Sequence, residues 1–193
     1  MKSNKTLFLV EVAVLAALAY LLDIVSTALF SRIWAQGGSV SLAMVPVFLI
    51  AYRWGVKGGL LSGFLLGLLQ FITGFAQIYH PVQGFIDYFV AFTVIGFAGI
   101  FASGIRDAVK NKQTGKWIGL VIVSTFIGSL LRFMAHFYTG IVFFGSYAPK
   151  GQPVALYSFI YNGTYMLPTF IISVIVIILL FSIAPRLAYV SKR

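Results

Sequence analysis

The sequence predicts an all-α integral membrane protein: residues 1–193 as a single domain, folded as a compact bundle of six transmembrane helices with both termini cytoplasmic. Three observations predict it. Hydrophobic residues make up 60% of the chain and charged residues 9%, with a mean hydropathy of +0.98, which would leave a soluble domain without a polar surface. The apolar residues fall into six runs with short connections between them. At about 20 residues per crossing of a ~30 Å hydrocarbon layer, that many crossings leave no length for a separate soluble domain. Finally, the basic residues are unevenly shared among the connections, the signature of an oriented multi-pass protein.

The first run covers residues 7–30. Lys2, Lys5 and the Ala17-Leu18-Ala19 stretch imitate a signal peptide, but the apolar run continues past Ala19 and contains Glu11, so a retained first helix is expected. Glu11 lies near the cytoplasmic end, within snorkelling reach of Lys2 or Lys5, and Asp23 approaches the outer end near Arg32. The second run, 40–52, is short, and its Pro46 is expected to bend or interrupt it. The third, 56–75, repeats Gly59, Gly63 and Gly67 at every fourth residue, a spacing that lets helix backbones approach closely in lipid. Ala13 and Ala17 share the spacing, and for them both internal packing and contact with another subunit stay open. The fourth run, 83–105, holds Asp87; the fifth, 117–142, holds Arg132, His136 and Gly140; the sixth, 161–184, has Tyr157 and Asn162 at its entrance.

Arg53, Lys57, Arg106, Lys110, Lys112 and Lys116 occupy two connections, whereas the other three hold only Arg32 and Lys150. The basic side is assigned to the cytoplasm, together with Lys2, Lys5, Arg186, Lys192 and Arg193. The net charge of +10 is therefore a topology signal and not a nucleic-acid footprint, because the cations flank apolar runs. Cysteine is absent, so there is no disulfide framework and no thiolate metal site. The G-x-x-x-x-G-K-[ST] phosphate loop and the H-E-x-x-H zinc motif are both missing. Inverted halves with broken helices, which commonly build a solitary transporter, are not visible either. A chain that binds a solute without motor or symmetry reads as a subunit.

Asp87 is one of four acidic residues and sits in a segment apolar enough for lipid. A carboxylate there costs roughly 2.5–3.5 kcal/mol on insertion scales, so it faces a cavity and has a partner or ligand. Arg132 and His136 are four apart, on one helical face, with Gly140 a turn further on as a gap. His136 and Asp87 fall at similar depth. A structural Asp87–Arg132 ion pair is one reading. The other is a ligand site: Tyr88, Phe144 and Tyr157 supply rings and Asn162 an amide, and this set suits a flat, nitrogen-rich cation. Trp34 is a candidate lid over the site or an interfacial belt residue, and His80, beside Pro81, is read as solvated.

The runs Leu131 to Gly140 (LRFMAHFYTG), Ala155 to Gly163 (ALYSFIYNG), Gln83 to Phe89 (QGFIDYF) and Glu11 to Ala19 (EVAVLAALA) occur in order along nearly the whole chain. In these runs it resembles the thiamin-specific substrate-binding component of energy-coupling factor transporters. The resemblance implies a six-helix vitamin-binding subunit in a prokaryotic plasma membrane, with a transmembrane coupling subunit and two cytoplasmic ATPases as partners and no cofactor of its own. It further implies thiamin contacts at Asp87, Tyr88, His136, Tyr157 and Asn162, and docking on the coupling subunit through Ala13 and Ala17. The chain departs from the family pattern where Asp87 replaces a glutamate, Phe144 a stacking tryptophan and Arg132 a lysine, and in a longer first outer loop around Arg32 to Gly38.

The mechanism expected is capture from outside, with the vitamin's rings stacked on His136 and Phe144. Asp87, Asn162 and Tyr157 fix the aminopyrimidine, Arg132 orients Asp87, and the first outer loop closes over the pocket. A subunit for another vitamin or a thiamin precursor, a solitary small-solute transporter, and an intramembrane enzyme using Asp87 and His136 as an acid–base pair are the competing readings.

Overall fold

A computed structural model describes residues 2–30, 33 and 38–190. Six helices carry the chain: α1 (Lys2–Phe30), α2 (Met44–Trp54), α3 (Val56–Ile72), α4 (Pro81–Lys110), α5 (Thr114–Phe143) and α6 (Val154–Ile183). No strand occurs among the described residues. Four of the helices, α1, α4, α5 and α6, are long and apolar enough to cross a membrane. Their outward side chains, such as Leu21, Val25, Phe126, Leu167 and Ile175, are apolar and exposed, a continuous surface that only lipid or another apolar face can cover.

The second helix is shorter than the apolar run that predicted it. At 11 residues it rises only about 16 Å. Pro46 is not the cause, for it sits in the first turn, where a proline costs no intrahelical bond. The shortening comes from residues 38–41, which are not helical and are anchored through the bond of Ser41 to Asp23. Buried on nearly every side, α2 is the hub, packed by α1, α3, α4 and α6. Gly55 alone joins α2 to α3, at a positive φ of 80° that suits glycine.

The α3 glycines are used for internal packing. A Cβ on Gly63 would strike the Phe92 carbonyl, one on Gly67 the Tyr88 carbonyl, and one on Gly59 the Cα of Gly96 at 2.6 Å. Backbone on backbone cannot yield as a flexible side chain can, so α3 and α4 are locked in register along this row. The lock sets the depth of Tyr88 and therefore of its neighbour Asp87.

Sequence periodicity reads α4 as one regular helix, but it changes pitch twice. Residues Phe85–Val90 are π-helical, with the Ala91 N–H bonded to the Ile86 carbonyl, and Val94–Phe101 tighten to 3-10 geometry. A π turn widens a helix and occurs disproportionately at functional positions; here it contains Asp87. His80 is exposed, as expected, yet it is not an idle loop residue. Its Nδ1 accepts the Val82 N–H at 3.2 Å as the N-cap of α4, and its ring stacks on Phe143 at 4.9 Å.

One end of the bundle is tied by a different cluster. Glu11 does not pair with Lys5, and the side chain of Lys2 is outside what the structure describes. It takes a two-pronged bond from Arg53 (2.6 and 2.7 Å) and one from Trp54 Nε1 (2.6 Å), while Arg53 Nη1 donates to the Arg186 and Tyr189 carbonyls. The N-terminal helix and the end of α6 thus meet at the same end, which is also the basic end of the molecule. Above this cluster Phe48, Tyr52, Trp117, Val121 and Phe181 pack into a closed core. The Tyr52 hydroxyl shares hydrogen bonds with Thr125 Oγ1 at 2.8 Å and Ser124 Oγ at 3.0 Å.

Candidate ligand-binding site

The opposite half of the bundle opens into a cavity of about 130 Å³, or about 1000 Å³ with its mouth included. Eight of the nine residues singled out in the sequence border it: Asp87, Tyr88, Arg132, His136, Gly140, Phe144, Tyr157 and Asn162. The ninth, Trp34, lies outside the described residues, as does Arg32.

Asp87 is 7% exposed and fully bonded on its protein side. Oδ1 accepts from Thr139 Oγ1 at 2.6 Å and lies 2.9 Å from His136 Nδ1; Oδ2 accepts from Gln83 Nε2 at 2.7 Å. Three donors and no acceptor around a buried carboxyl describe the ionised form. Gln83 stands one helical turn before Asp87 and Thr139 three residues after His136. These spacings were legible in advance, and both residues went unremarked.

The ion pair considered between Asp87 and Arg132 is not formed. Among the described residues the only side chain at ion-pair distance from Asp87 is His136. Arg132 Nε instead donates to His136 Nε2 at 3.3 Å. A guanidinium has no acceptor, so Nε2 is the unprotonated nitrogen and Nδ1–H donates to Asp87. The imidazole is a neutral relay between cation and anion. The arginine guanidinium also lies over the Phe92 ring, 4.8 Å from the centroid. Arg132 therefore positions Asp87 only through His136.

The third wall comes from α6, which begins earlier than its apolar run and places Tyr157 and Asn162 within the helix. Gly140 is a gap with a purpose: a Cβ there would collide with Ser158 Oγ. Ser158 uses the space to donate to the Phe137 carbonyl at 2.8 Å, docking α6 on α5. Asn162 Nδ2 then donates to the Ser158 carbonyl (2.9 Å), and its Oδ1 accepts from the Tyr165 hydroxyl (2.6 Å). The amide plane is thereby set toward the cavity. At the mouth, Phe144 meets Tyr79 edge-on at 5.5 Å and Tyr157 tilts on Tyr161 at 5.7 Å. The Tyr88 hydroxyl accepts the Gln77 N–H at 2.7 Å, which leaves its own proton free to donate.

Asp23 turns inward and borders the same cavity; Arg32, the partner considered for it, is outside the described residues. Ser41 Oγ donates to its Oδ1 at 2.9 Å and Gln70 Nε2 to its Oδ2 at 2.5 Å. An acid in the first helix was visible in the sequence; its direction was not. Two acids, Asp87 and Asp23, and one guanidinium, Arg132, therefore border the cavity. No group of three or more histidines, cysteines or acids able to hold a metal occurs among the described residues.

A bundle of lipid-facing helices around a ring-lined receptacle with a buried carboxylate is an integral membrane protein that binds a small polar solute. The comparisons with known proteins agree on which kind. The profile of the family described as thiamine transporter protein (Thia_YuaJ) matches residues 9–189, and the chain belongs to that family. It is 53% identical over 191 residues to the thiamine transporter ThiT of Bacillus subtilis, covering 99% of this chain and 98% of the relative. Identity to the ThiT of Lacticaseibacillus paracasei is 32% over 197 residues, covering 100% and 95% of the two chains. A solved structure of ThiT from Listeria monocytogenes superposes with a TM-score of 0.89 at 34% identity, over 97% of this chain and 100% of that one.

Proposed function

We propose that this chain is the thiamin-binding membrane subunit of an importer, capturing the vitamin at the outer face. The observation that carries the reading is the Arg132–His136–Asp87 relay: it presents an ionised carboxylate, already oriented, beside a flat neutral imidazole at the cavity. Thiamin is a thiazolium cation joined to an aminopyrimidine, so it supplies a positive charge and a donor amino group for Asp87. His136, Phe144 and Tyr157 offer the faces on which its rings stack, and Asn162 a further hydrogen bond. Burial removes competing water and strengthens each of these contacts.

The mouth faces outward if the basic end, with Lys57, Arg106 and Lys110, lies in the cytoplasm. Release into the cell then requires work done elsewhere, by a coupling subunit and ATPases. Ala13 and Ala17 are exposed on α1 beside Val14 and Leu18, a smooth face for that coupling subunit. The test is a thiamin titration of purified protein, read by tryptophan fluorescence and by thermal unfolding. Saturable binding is expected, with stabilisation of about 2.7 kcal/mol at a hundredfold excess over Kd. Absence of both signals at millimolar thiamin rejects the reading. Identification of the molecule that copurifies separates thiamin from a precursor.

A further inference from the structure

Gln83 lies in the first turn of α4, borders the cavity and is 2% exposed. Its Oε1 accepts the backbone N–H groups of Tyr79 at 3.0 Å and His80 at 3.4 Å. Its Nε2 donates to the Gln77 carbonyl at 3.3 Å and to Asp87 Oδ2 at 2.7 Å. The amide has one orientation only. Reversed, its NH2 would face two backbone donors while its oxygen faced a carbonyl and a carboxylate.

The bond from the His80 N–H is the reciprocal half of the cap on α4, a duty that a glutamate performs as well. Capping accounts for the acceptor and leaves the donor unexplained. An amide holds the backbone with its oxygen and still gives an N–H to Asp87, which a carboxylate cannot do. That N–H reaches a particular oxygen. Oδ1 already meets Thr139 and His136, which fill its two acceptor places, whereas Oδ2 receives Gln83 alone. Asp87 borders the cavity, and the acceptor place its protein partners leave open is on Oδ2.

The same amide fastens the connection between α3 and α4. Residues 77–80 are held by Gln83, by the Tyr88 hydroxyl that accepts the Gln77 N–H, and by the Tyr79 and His80 rings against Phe144 and Phe143. Gln77, Tyr88 and Phe144 border the cavity beside Gln83. One side chain thus grips the connection with its oxygen and the carboxylate with its nitrogen. A ligand that fixes Asp87 from the cavity side fixes the connection too, because coupling between two sites is reciprocal.

Resting on the thiamin reading, we infer that Gln83 is a positioning residue: it aims Oδ2 of Asp87 at the amino group of the vitamin's pyrimidine and makes its hold on residues 77–80 part of binding. Its effect is carried by Asp87. Loss of Gln83 therefore harms a ligand that has the amino group and spares one that lacks it, whereas a residue serving only to cap α4 affects both alike.

The experiment titrates the full chain in detergent with thiamin and with the analogue bearing hydrogen in place of the pyrimidine amino group, on the wild type and on Gln83→Met. Methionine keeps the length of the side chain and removes all four bonds. The wild type is expected to bind thiamin at least about tenfold tighter than the analogue, the effect of one hydrogen bond to a charged group. Gln83→Met is expected to weaken thiamin by at least about tenfold and the analogue by less than about threefold, the non-additivity that a double-mutant cycle isolates. Equal wild-type affinity for the two ligands overturns the inference while leaving thiamin binding intact. So does a Gln83→Met protein that weakens both ligands equally, or neither. Failure of the wild type to bind thiamin at all removes the parent reading and this inference together. If Gln83→Met does not fold, hydrogen exchange on the wild type decides: saturating thiamin should slow exchange of the Tyr79 and His80 amides more than the saturating analogue does. Equal protection by the two ligands then overturns the inference.

Discussion

The two ends of this bundle are made from the same six helices and differ in how they treat buried polar groups. At the basic end Tyr52, Thr125 and Ser124 satisfy one another inside a core of Phe48, Trp117 and Phe181, and nothing in that set points at empty space. At the open end Asp87, Asn162 and Gln70 are bonded on their protein side alone and border a cavity. A membrane protein gains little from hydrophobic burial of one helix on another, so close packing and hydrogen bonds hold the first region. The second spends the same kinds of bond on aiming side chains. Stability and binding are thereby assigned to different depths of one fold.

That separation is open to mutation. The largest effect is expected from Asp87→Asn, which leaves Gln83, Thr139 and His136 donating toward a group with half the acceptor capacity and no charge. Thiamin affinity should fall at least about 100-fold, since removing one member of a buried charged set costs about 2–5 kcal/mol, with the folded fraction retained in detergent. An affinity change under threefold would place the binding centre elsewhere. Next comes Gly63→Val, where the new side chain meets the Phe92 backbone. It should cost about 1–3 kcal/mol by overpacking, read as a lowered thermal midpoint, and because this row sets the depth of Tyr88 and Asp87 the folded remainder should bind thiamin more weakly, though less so than after Asp87→Asn.

Smaller and confined to the closed half is Tyr52→Phe, which deletes a hydroxyl bonded to Thr125 and Ser124. About 1 kcal/mol of stability should be lost, with thiamin affinity unchanged; a tenfold loss of affinity would show that the two halves are coupled. The smallest expected change is a gain. Phe144→Trp enlarges the ring at the mouth and should tighten thiamin by about 0.5–1 kcal/mol through added stacking area, measured as a two- to fivefold lower Kd.

Much of the open half was legible before any coordinates. Asp87 stands out because a carboxylate in an apolar run is costly, and Arg132, His136 and Gly140 fall on one face because an α-helix repeats every 3.6 residues. Both are local rules, and they brought eight residues to one cavity. They gave no warning that Arg132 would act through His136, since a choice between two partners about a turn apart depends on the interhelical distance. Glu11 was matched to nearby lysines in sequence, whereas Arg53, 42 residues away, is its neighbour in space. Trp34, the candidate lid, stands outside the described residues.

Composition, hydropathy and the spacing of rare polar residues were enough to establish the membrane class, the six helices and the shared face of Arg132, His136 and Gly140, because each follows from the solvent and from the geometry of a single helix. Tertiary structure alone decided the inward turn of Asp23 and its contact with Gln70, the π-helical widening around Asp87 and the early start of α6. Every one of these arises where two or three helices meet, and the orientation of a side chain there is set by the backbones packed against it.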